Sequence, residues 1–397
     1  MSKSGAFFSA AGLLARYGGL IAAIASISSV GVSLSLSLPL LSFILEARGI
    51  SAAAIGANSA MGGVASILVV PFVTPLAHRF GTSNLLIATI LIAATSFVGF
   101  YLIDSFAVWF ILRVFMFGSI TMVFVLSEFW INELAPMAHR GLVLGIYGTV
   151  LSAGFAAGPA LLSIIGWQGA LPFAVGFAIL ALSVLPVIFT RASSPQVDKE
   201  PPTALFRFIT VAPLATFSAL AFGAVESSLL AFLPVYGLRL EMDAGLAALL
   251  VSVATLGNVA LQVPVGILTD RFDRRLVILG CGIVGIIGAV LMPFASSSTP
   301  ALLATLFIWG GVTAGIYIAG LAHLGSRFTG TDLANANSAF VMMYAVGMLV
   351  GPMSVGAGLD IWDPHGFAIV NAIIFTAFVT FAIVRIAFKP RKSDLLS

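Results

Sequence analysis

Arg113, Glu128 and Glu226 stand inside long apolar stretches of this chain. A charge withdrawn from water is costly unless paired or neutralised, so each needs a reason to be there. A carboxyl group out of water can take up and release a proton, and an arginine stays charged and holds anions or carbonyls. Glu226 is followed by Ser227 and Ser228 and has no basic residue near it in sequence. It is the favoured proton carrier of the three. Two roles fit Arg113: substrate or proton binding, and a structural tie to an acid or a backbone carbonyl. Glu128 lies fifteen residues after Arg113. On a helix that spacing returns to within about 60° of the same face, about 22 Å along the axis. Both can therefore line one polar interior, although Glu128 also fits a structural partner for loop arginines. Asn258 and Gln262 are four apart and share a helix face, which makes them candidate cavity residues.

The elements that hold these residues follow from composition. The chain has 397 residues, 60% hydrophobic and 8% charged, with a mean hydropathy of +1.14. A soluble domain carries about a quarter charged residues. A surface this poor in charge is solvated by lipid. A helix needs roughly 20 apolar residues to cross a bilayer, whereas barrel strands read as short alternating segments. The runs here are long and continuous, so helices are expected. Ser33, Ser35 and Ser37 alternate with apolar residues as in a strand, but they lie in a run of helical length.

Twelve spans are read, at about 18–45, 52–77, 83–103, 106–132, 141–164, 169–190, 208–237, 245–269, 276–295, 299–323, 333–358 and 365–388. With both termini on one side, that side collects nearly all of the 18 lysines and arginines. The other side holds only Arg48 and Arg239, and Arg113 lies within a span. The positive-inside rule then places both termini in the cytoplasm, with the chain as a multi-pass protein of a bacterial inner membrane. The first apolar run is too long for a cleaved leader.

The polar stretch from Arg191 to Arg207 reads as a linker. It divides the chain into a six-helix half at 1–190, a cytoplasmic linker at 191–207 and a second half at 208–397. Landmarks recur between the halves at almost one separation. Gly154-x-x-x-Gly158-Pro159 pairs with Gly347-x-x-x-Gly351-Pro352, and Pro71 pairs with Pro264. Thr74 to Ser83 is a degraded copy of Gly266 to Arg275. Such recurrence indicates a duplicated unit, common in membrane transport proteins. Glycines four apart let helices approach closely, and proline kinks them. A pivot or seal fits these elements, as does simple tight packing.

Several chemistries have no residues to support them. Cys281 is the single cysteine, and His78, His139, His323 and His365 are far apart, so neither a metal nor a cofactor is expected. There is no GxxxxGK[ST] stretch to bind ATP and no constellation of nucleophile and base. The formal net charge of +3 reflects topology, and no nucleic-acid partner is expected.

The stretch Gly-Ile-Leu-Thr-Asp-Arg-Phe-Asp-Arg-Arg, from Gly266 to Arg275, closely resembles the cytoplasmic signature loop (motif A) of the major facilitator superfamily. Asp273 replaces the second glycine of that pattern. The early copy keeps Leu76, Arg79, Phe80 and Gly81 but has His78 for the acid and Thr82 and Ser83 for the basic pair. Gly154 to Pro159 resembles the fifth-helix motif of drug antiporters. Arg113 sits where the family has a fourth-helix arginine, with Phe117 in the place of the following glycine. Glu133-Leu-Ala-Pro136 with Arg140-Gly141 resembles the acid-to-arginine element that closes the fourth span. Ser127 to Asn132 resembles a segment of the YcaD-like branch.

The resemblance implies an all-α membrane protein, twelve helices in two pseudo-symmetric six-helix bundles that rock about a central site. It implies that Asp270 neutralises a helix end between the halves, while Arg271, Arg274 and Arg275 pair with acids and headgroups. With His78, Arg79, Glu133 and Arg140 these would form a cytoplasmic gate. The expected activity is proton-coupled export of a small organic molecule. Uptake, a facilitator without ion coupling and a non-transport membrane protein are the alternatives. The expected partners are substrate, protons and lipid, with the chain a monomer.

Overall fold

The computed structural model describes residues 10–134, 140–191, 194–195, 205–328 and 330–387, and all regular structure among them is helical. The helices are α1 (Ala10–Ala47), α2 (Ala52–Phe80), α3 (Thr82–Leu102), α4 (Phe106–Leu134), α5 (Arg140–Ile165) and α6 (Leu171–Phe189). There follow α7 (Leu205–Val211), α8 (Pro213–Arg239), α9 (Ala244–Arg271), α10 (Arg274–Ala295), α11 (Thr299–Gly325), α12 (Gly330–Ile361) and α13 (Gly366–Ala387). Twelve of these are long and apolar enough to cross a membrane, in agreement with the spans read from the sequence. The seventh span differs at its start. A short α7 precedes α8, and the chain breaks at Ala212 (φ −124°, ψ 51°), just before Pro213. Proline drives the preceding residue away from helical angles and favours the first turn of a new helix.

The sequence forms these helices without water to satisfy its polar groups. Hydroxyls fold back onto their own helix, as Ser28 does to Ile24 O at 2.7 Å and Ser228 to Ala224 O at 2.7 Å. Ser33, Ser35 and Ser37 do so within helix α1, or bond to neighbours: Ser33 to Gly176 O at 3.4 Å and Ser35 to Gly154 O at 3.4 Å. Large apolar side chains such as Phe72, Phe115, Phe189 and Phe294 are exposed, a surface suited to lipid.

The chain forms two compact units. One comprises Met1–Ser37, Leu68–Gly158 and Gln168–Glu200; the other comprises Leu38–Ile67, Pro159–Trp167 and Pro201–Ser397. In the first unit, α5 lies close against α1. A methyl group at Gly158 would strike Val32 O and Leu36 N, and one at Gly154 would press on Ser28 O. In the second unit, α12 lies against α8 in the same manner. A methyl group at Gly351 would collide with the backbone of Ala224, and one at Gly347 with Leu220 O. The two glycine pairs recognised in the sequence therefore do one packing job in two places, bringing α5 onto α1 and α12 onto α8.

Candidate functional site

The close approach of α8 and α12 positions Glu226. Gly223, one turn earlier on α8, leaves no room for a side chain beside the Tyr344 backbone. This brings the Tyr344 hydroxyl to Glu226, where it donates to Oε2 at 2.6 Å. The neighbouring hydroxyls are directed elsewhere: Ser227 and Ser228 donate to Gly223 O and Ala224 O. Aromatic rings from three helices surround the carboxylate's partner. Tyr317 lies 6.0 Å from Tyr344, 5.2 Å from Phe222 and 4.9 Å from Phe340, measured between ring centroids. Glu226, Tyr344 and Tyr317 are half buried, so the group retains an open side. It sits on an apolar core of Phe208, Ala215, Ala219, Leu324, Phe340 and Met343.

The first unit holds the other two charges. Arg113 is fully buried, with its guanidinium 5.9 Å from the Phe100 ring and 5.7 Å from the Phe117 ring. Both separations fall within cation–π range, so Phe117, where the family has glycine, serves as a wall for the arginine. Glu128 accepts a hydrogen bond from Tyr147 at 3.0 Å. Each unit thus contains one glutamate held by a tyrosine. Glu128 is exposed on α4, whereas Arg113 is enclosed. Asn258 and Gln262 are half buried on α9, and no described contact joins them to Glu226.

The signature loop lies between α9 and α10. Asp270 and Arg271 are exposed, and Arg274 and Arg275 are half buried. Gly266 has open space where a side chain would be. Asp273, the departure from the family pattern, caps α10 by accepting from Arg275 N at 2.9 Å, which satisfies one of the helix's free donors. The early copy departs for a different reason. Thr82 donates to Pro195 O at 2.8 Å, Ser83 N donates to Ser194 Oγ at 3.2 Å, and Arg191 donates to Asn84. The small hydroxyl residues there tie α3 to the segment after α6. His78, Arg79 and Glu133 are exposed. The Arg140 side chain and residues 135–139 lie outside the described residues.

A second charged group, not read from the sequence, lies at the opposite end of α8. Arg239 Nε donates to Glu46 at 2.8 Å, and its Nη1 donates to Asp363 at 2.8 Å and to Leu359 O at 3.0 Å. Beside it, the Asp360 carboxylate accepts from Ala52 N at 2.9 Å and Ala53 N at 2.8 Å. Those are free donors at the start of α2, where a negative charge also meets the helix dipole. Small residues let α2 and α12 meet here: a methyl group at Gly56 would strike Pro352 O, and one at Gly356 would strike Ala52 O. The sequence did contain a signal for this cluster, since Arg239 is one of only two basic residues on its side of the membrane.

The match to known proteins fits this architecture. The family model described as Major Facilitator Superfamily matches residues 20–248 and 216–395. The chain belongs to the major facilitator superfamily. Among curated relatives, it is 27% identical over 360 residues to an uncharacterized MFS-type transporter, YfkF, of Bacillus subtilis (strain 168), covering 88% of this chain and 89% of the relative. It is 29% identical over 285 residues to an uncharacterized MFS-type transporter, YcaD, of Salmonella arizonae, covering 70% and 72%. Among solved structures it resembles the nucleoside transporter NupG, with a TM-score of 0.75 at 17% identity over 94% of this chain and 100% of that one. It also resembles a bacterial homologue of the human lysosomal transporter Spinster, inward-facing and unoccupied, with a TM-score of 0.70 at 16% identity over 94% and 96%. This facilitator-superfamily chain is thus an integral, multi-pass membrane protein with the superfamily's twelve-helix fold, and its family moves small solutes.

Proposed function

We propose that this protein exports a small organic solute in exchange for protons, with Glu226 as the proton carrier and Arg113 and Glu128 in support. The observation that carries the reading is the Glu226–Tyr344 hydrogen bond set among aromatic rings at the middle of the membrane span. A carboxyl group there can accept a proton in one orientation of the protein and release it in the other. The rings of Phe222, Tyr317 and Tyr344 suit a solute with a flat or apolar face, as the bases of nucleosides have. Asn258 and Gln262 are further candidates to meet substrate. The fifth-span glycine–proline motif favours export; uptake by the same group is the second reading.

The remaining roles follow from that reading. The excess of basic residues on the side of the termini orients them to the cytoplasm of a bacterial inner membrane. Two halves, 1–190 and 208–397, joined by a linker, would alternate about the site, and a single chain suffices. Asp270, Arg271, Arg274 and Arg275, with His78, Arg79, Glu133 and Arg140, would gate the cytoplasmic face. Gly154, Gly158 and Pro159, with Gly347, Gly351 and Pro352, would act as pivots.

Proteoliposomes carrying a pH-sensitive dye test the coupling. A panel of aromatic solutes, including ethidium and uridine, is applied under an imposed pH gradient. Wild type should couple proton flux to at least one solute, and Glu226→Gln should abolish that flux while remaining folded. Equal flux in both proteins refutes the role of Glu226; solute movement without proton flux identifies a facilitator.

A further inference from the structure

Three aromatic rings stand beside Glu226, and they are set as walls rather than as a stack. Phe222 lies one turn before Glu226 on α8, so the two share a helix face. The Phe222 ring meets the Tyr317 ring of α11 at 5.2 Å and 52°, and the Tyr344 ring of α12 at 6.1 Å and 34°. Tyr317 and Tyr344 meet nearly edge to face, at 6.0 Å and 76°. Rings at these angles do not cover one another's faces as a parallel stack would. Phe222, Tyr317, Tyr344 and Glu226 are all half buried, whereas Phe340, 4.9 Å from Tyr317, is fully buried. The core is filled by Phe340, and part of each of the other rings is left open beside the carboxylate.

We infer that this face binds an organic cation with apolar groups around its charge, such as a quaternary ammonium. The inference rests on the reading of the Glu226 site as the place where solute binds, and it names the charge that the solute carries. An aromatic ring presents a negative face, and a cation is attracted to it most strongly where water is excluded. Several rings set around one space recognise quaternary ammonium groups in this way. The carboxylate beside the rings adds a full negative charge, and its described partner is the neutral Tyr344 hydroxyl. Glu226 lies about 20 Å from either end of α8, so a charge held there has to be offset. A cationic solute offsets it, a neutral one leaves it, and an anion adds to it. The nearby hydroxyls do not serve a neutral solute as donors, since Ser227 and Ser228 donate to Gly223 O and Ala224 O.

Isothermal calorimetry on the full chain in detergent tests this. The probes are phenyltrimethylammonium and tetraphenylphosphonium as cations, uridine as a neutral aromatic solute and benzoate as an anion. Phe222→Leu and Tyr317→Leu keep apolar bulk but remove a ring, Tyr317→Phe keeps the ring, and Glu226→Gln removes the charge. Phe189→Leu, at an exposed position on α6, controls for lost aromatic surface elsewhere. Wild type, Phe189→Leu and Tyr317→Phe should bind at least one cation about tenfold more tightly than uridine or benzoate. Each leucine variant at the site should weaken that cation about fivefold or more, and Glu226→Gln about tenfold or more. No cation binding by wild type overturns the inference, as does tighter binding of uridine or benzoate, or unchanged cation binding in Glu226→Gln or in both ring variants. A thermal unfolding scan of each variant without ligand confirms that it is folded. The result is separable from that of the proton-exchange reading. Cation binding without proton flux in the liposomes would sink proton exchange and leave the cation site, whereas proton flux coupled to uridine alone would do the reverse.

Discussion

Arg239→Gln should loosen the C-terminal end of α1 from α8, a contact that lies within the second unit. Arg239 holds Glu46 and Asp363 at 2.8 Å each. The Asp363 side chain is 62% exposed and that of Glu46 is 20% exposed. Ion pairs at exposed sites contribute about 0.2–1 kcal/mol, so the Asp363 pair belongs near the bottom of that range and the Glu46 pair near the top. Removal also strands Glu46, whose Oε2 is buried without a hydrogen bond, and a buried acceptor left without its cation adds to the loss. Together these give about 1–2 kcal/mol, a factor of about 5–30 in the ratio of closed to open forms. Spin labels at Ala47 and Ser297, on a Cys281→Ser background, report the separation by pulsed electron resonance in nanodiscs. Wild type should give one dominant distance, and Arg239→Gln should add a longer one. The added fraction should shrink the difference between wild type and variant at high salt, where the native pairs are screened. An unchanged distance distribution would refute the assignment of Arg239 as a latch.

Three further outcomes are expected. Tyr344→Phe keeps the ring but removes the donor to Glu226; a hydrogen bond to a charged group contributes about 1.5–3 kcal/mol, so proton-coupled flux should fall at least about tenfold, with a lower unfolding temperature. Gly351→Ala forces a methyl group into the Ala224 backbone and should cost about 1–3 kcal/mol, read as a lower thermal midpoint, while Gly266→Ala, in open space, should leave that midpoint unchanged. Glu46→Gln should lengthen the Ala47–Ser297 distance, whereas Asp363→Asn should not, despite equal bond lengths, because Asp363 joins α12 to α8 and Glu46 joins α1 to α8.

The twelve spans were legible because lipid demands long apolar runs, and hydropathy reads such runs directly. The α7–α8 break was not, since Pro213 changes backbone angles without changing hydropathy. The glycine–proline pairs were visible as a repeat, but their partners, α1 for one and α8 for the other, depend on which helices pack. Glu226 stood out because a lone acid in an apolar run is conspicuous. Tyr344 did not, since a tyrosine in a span is ordinary until its hydroxyl meets a carboxylate from a helix far away in sequence. The same holds for Asp360, which lies just past the span read at 333–358 and caps another helix. Asp273 and Thr82 read as losses from a family pattern; the structure gives each a local bond that accounts for its presence.

The arrangement of charge along α8 links the site to the latch. Glu226 lies midway between Pro213 and Arg239, about 20 Å from either end of the helix. Its partner Tyr344 is on α12, and the partners of Arg239 at the far end, Leu359 and Asp363, are on or just beyond α12. Between these two contacts, Gly347 and Gly351 bring the α12 backbone against α8 with no side chain between them. Two helices in backbone contact and tied at the middle and at one end move as one body, because any sliding would drive backbone into backbone. A change at Glu226 therefore has little freedom to part α8 from α12. Its effect must reach the joints that this pair makes with other helices, and at the far end those are Arg239 with Glu46 and Asp360 with the start of α2. The two joints differ: Gly56 and Gly356 bring α2 onto α12 by backbone contact as well as through Asp360, whereas α1 meets α8 here through the partly exposed Arg239–Glu46 pair. The α1–α8 joint is therefore the one expected to break and re-form at lower cost, which is why Arg239 and Glu46 are the positions to perturb.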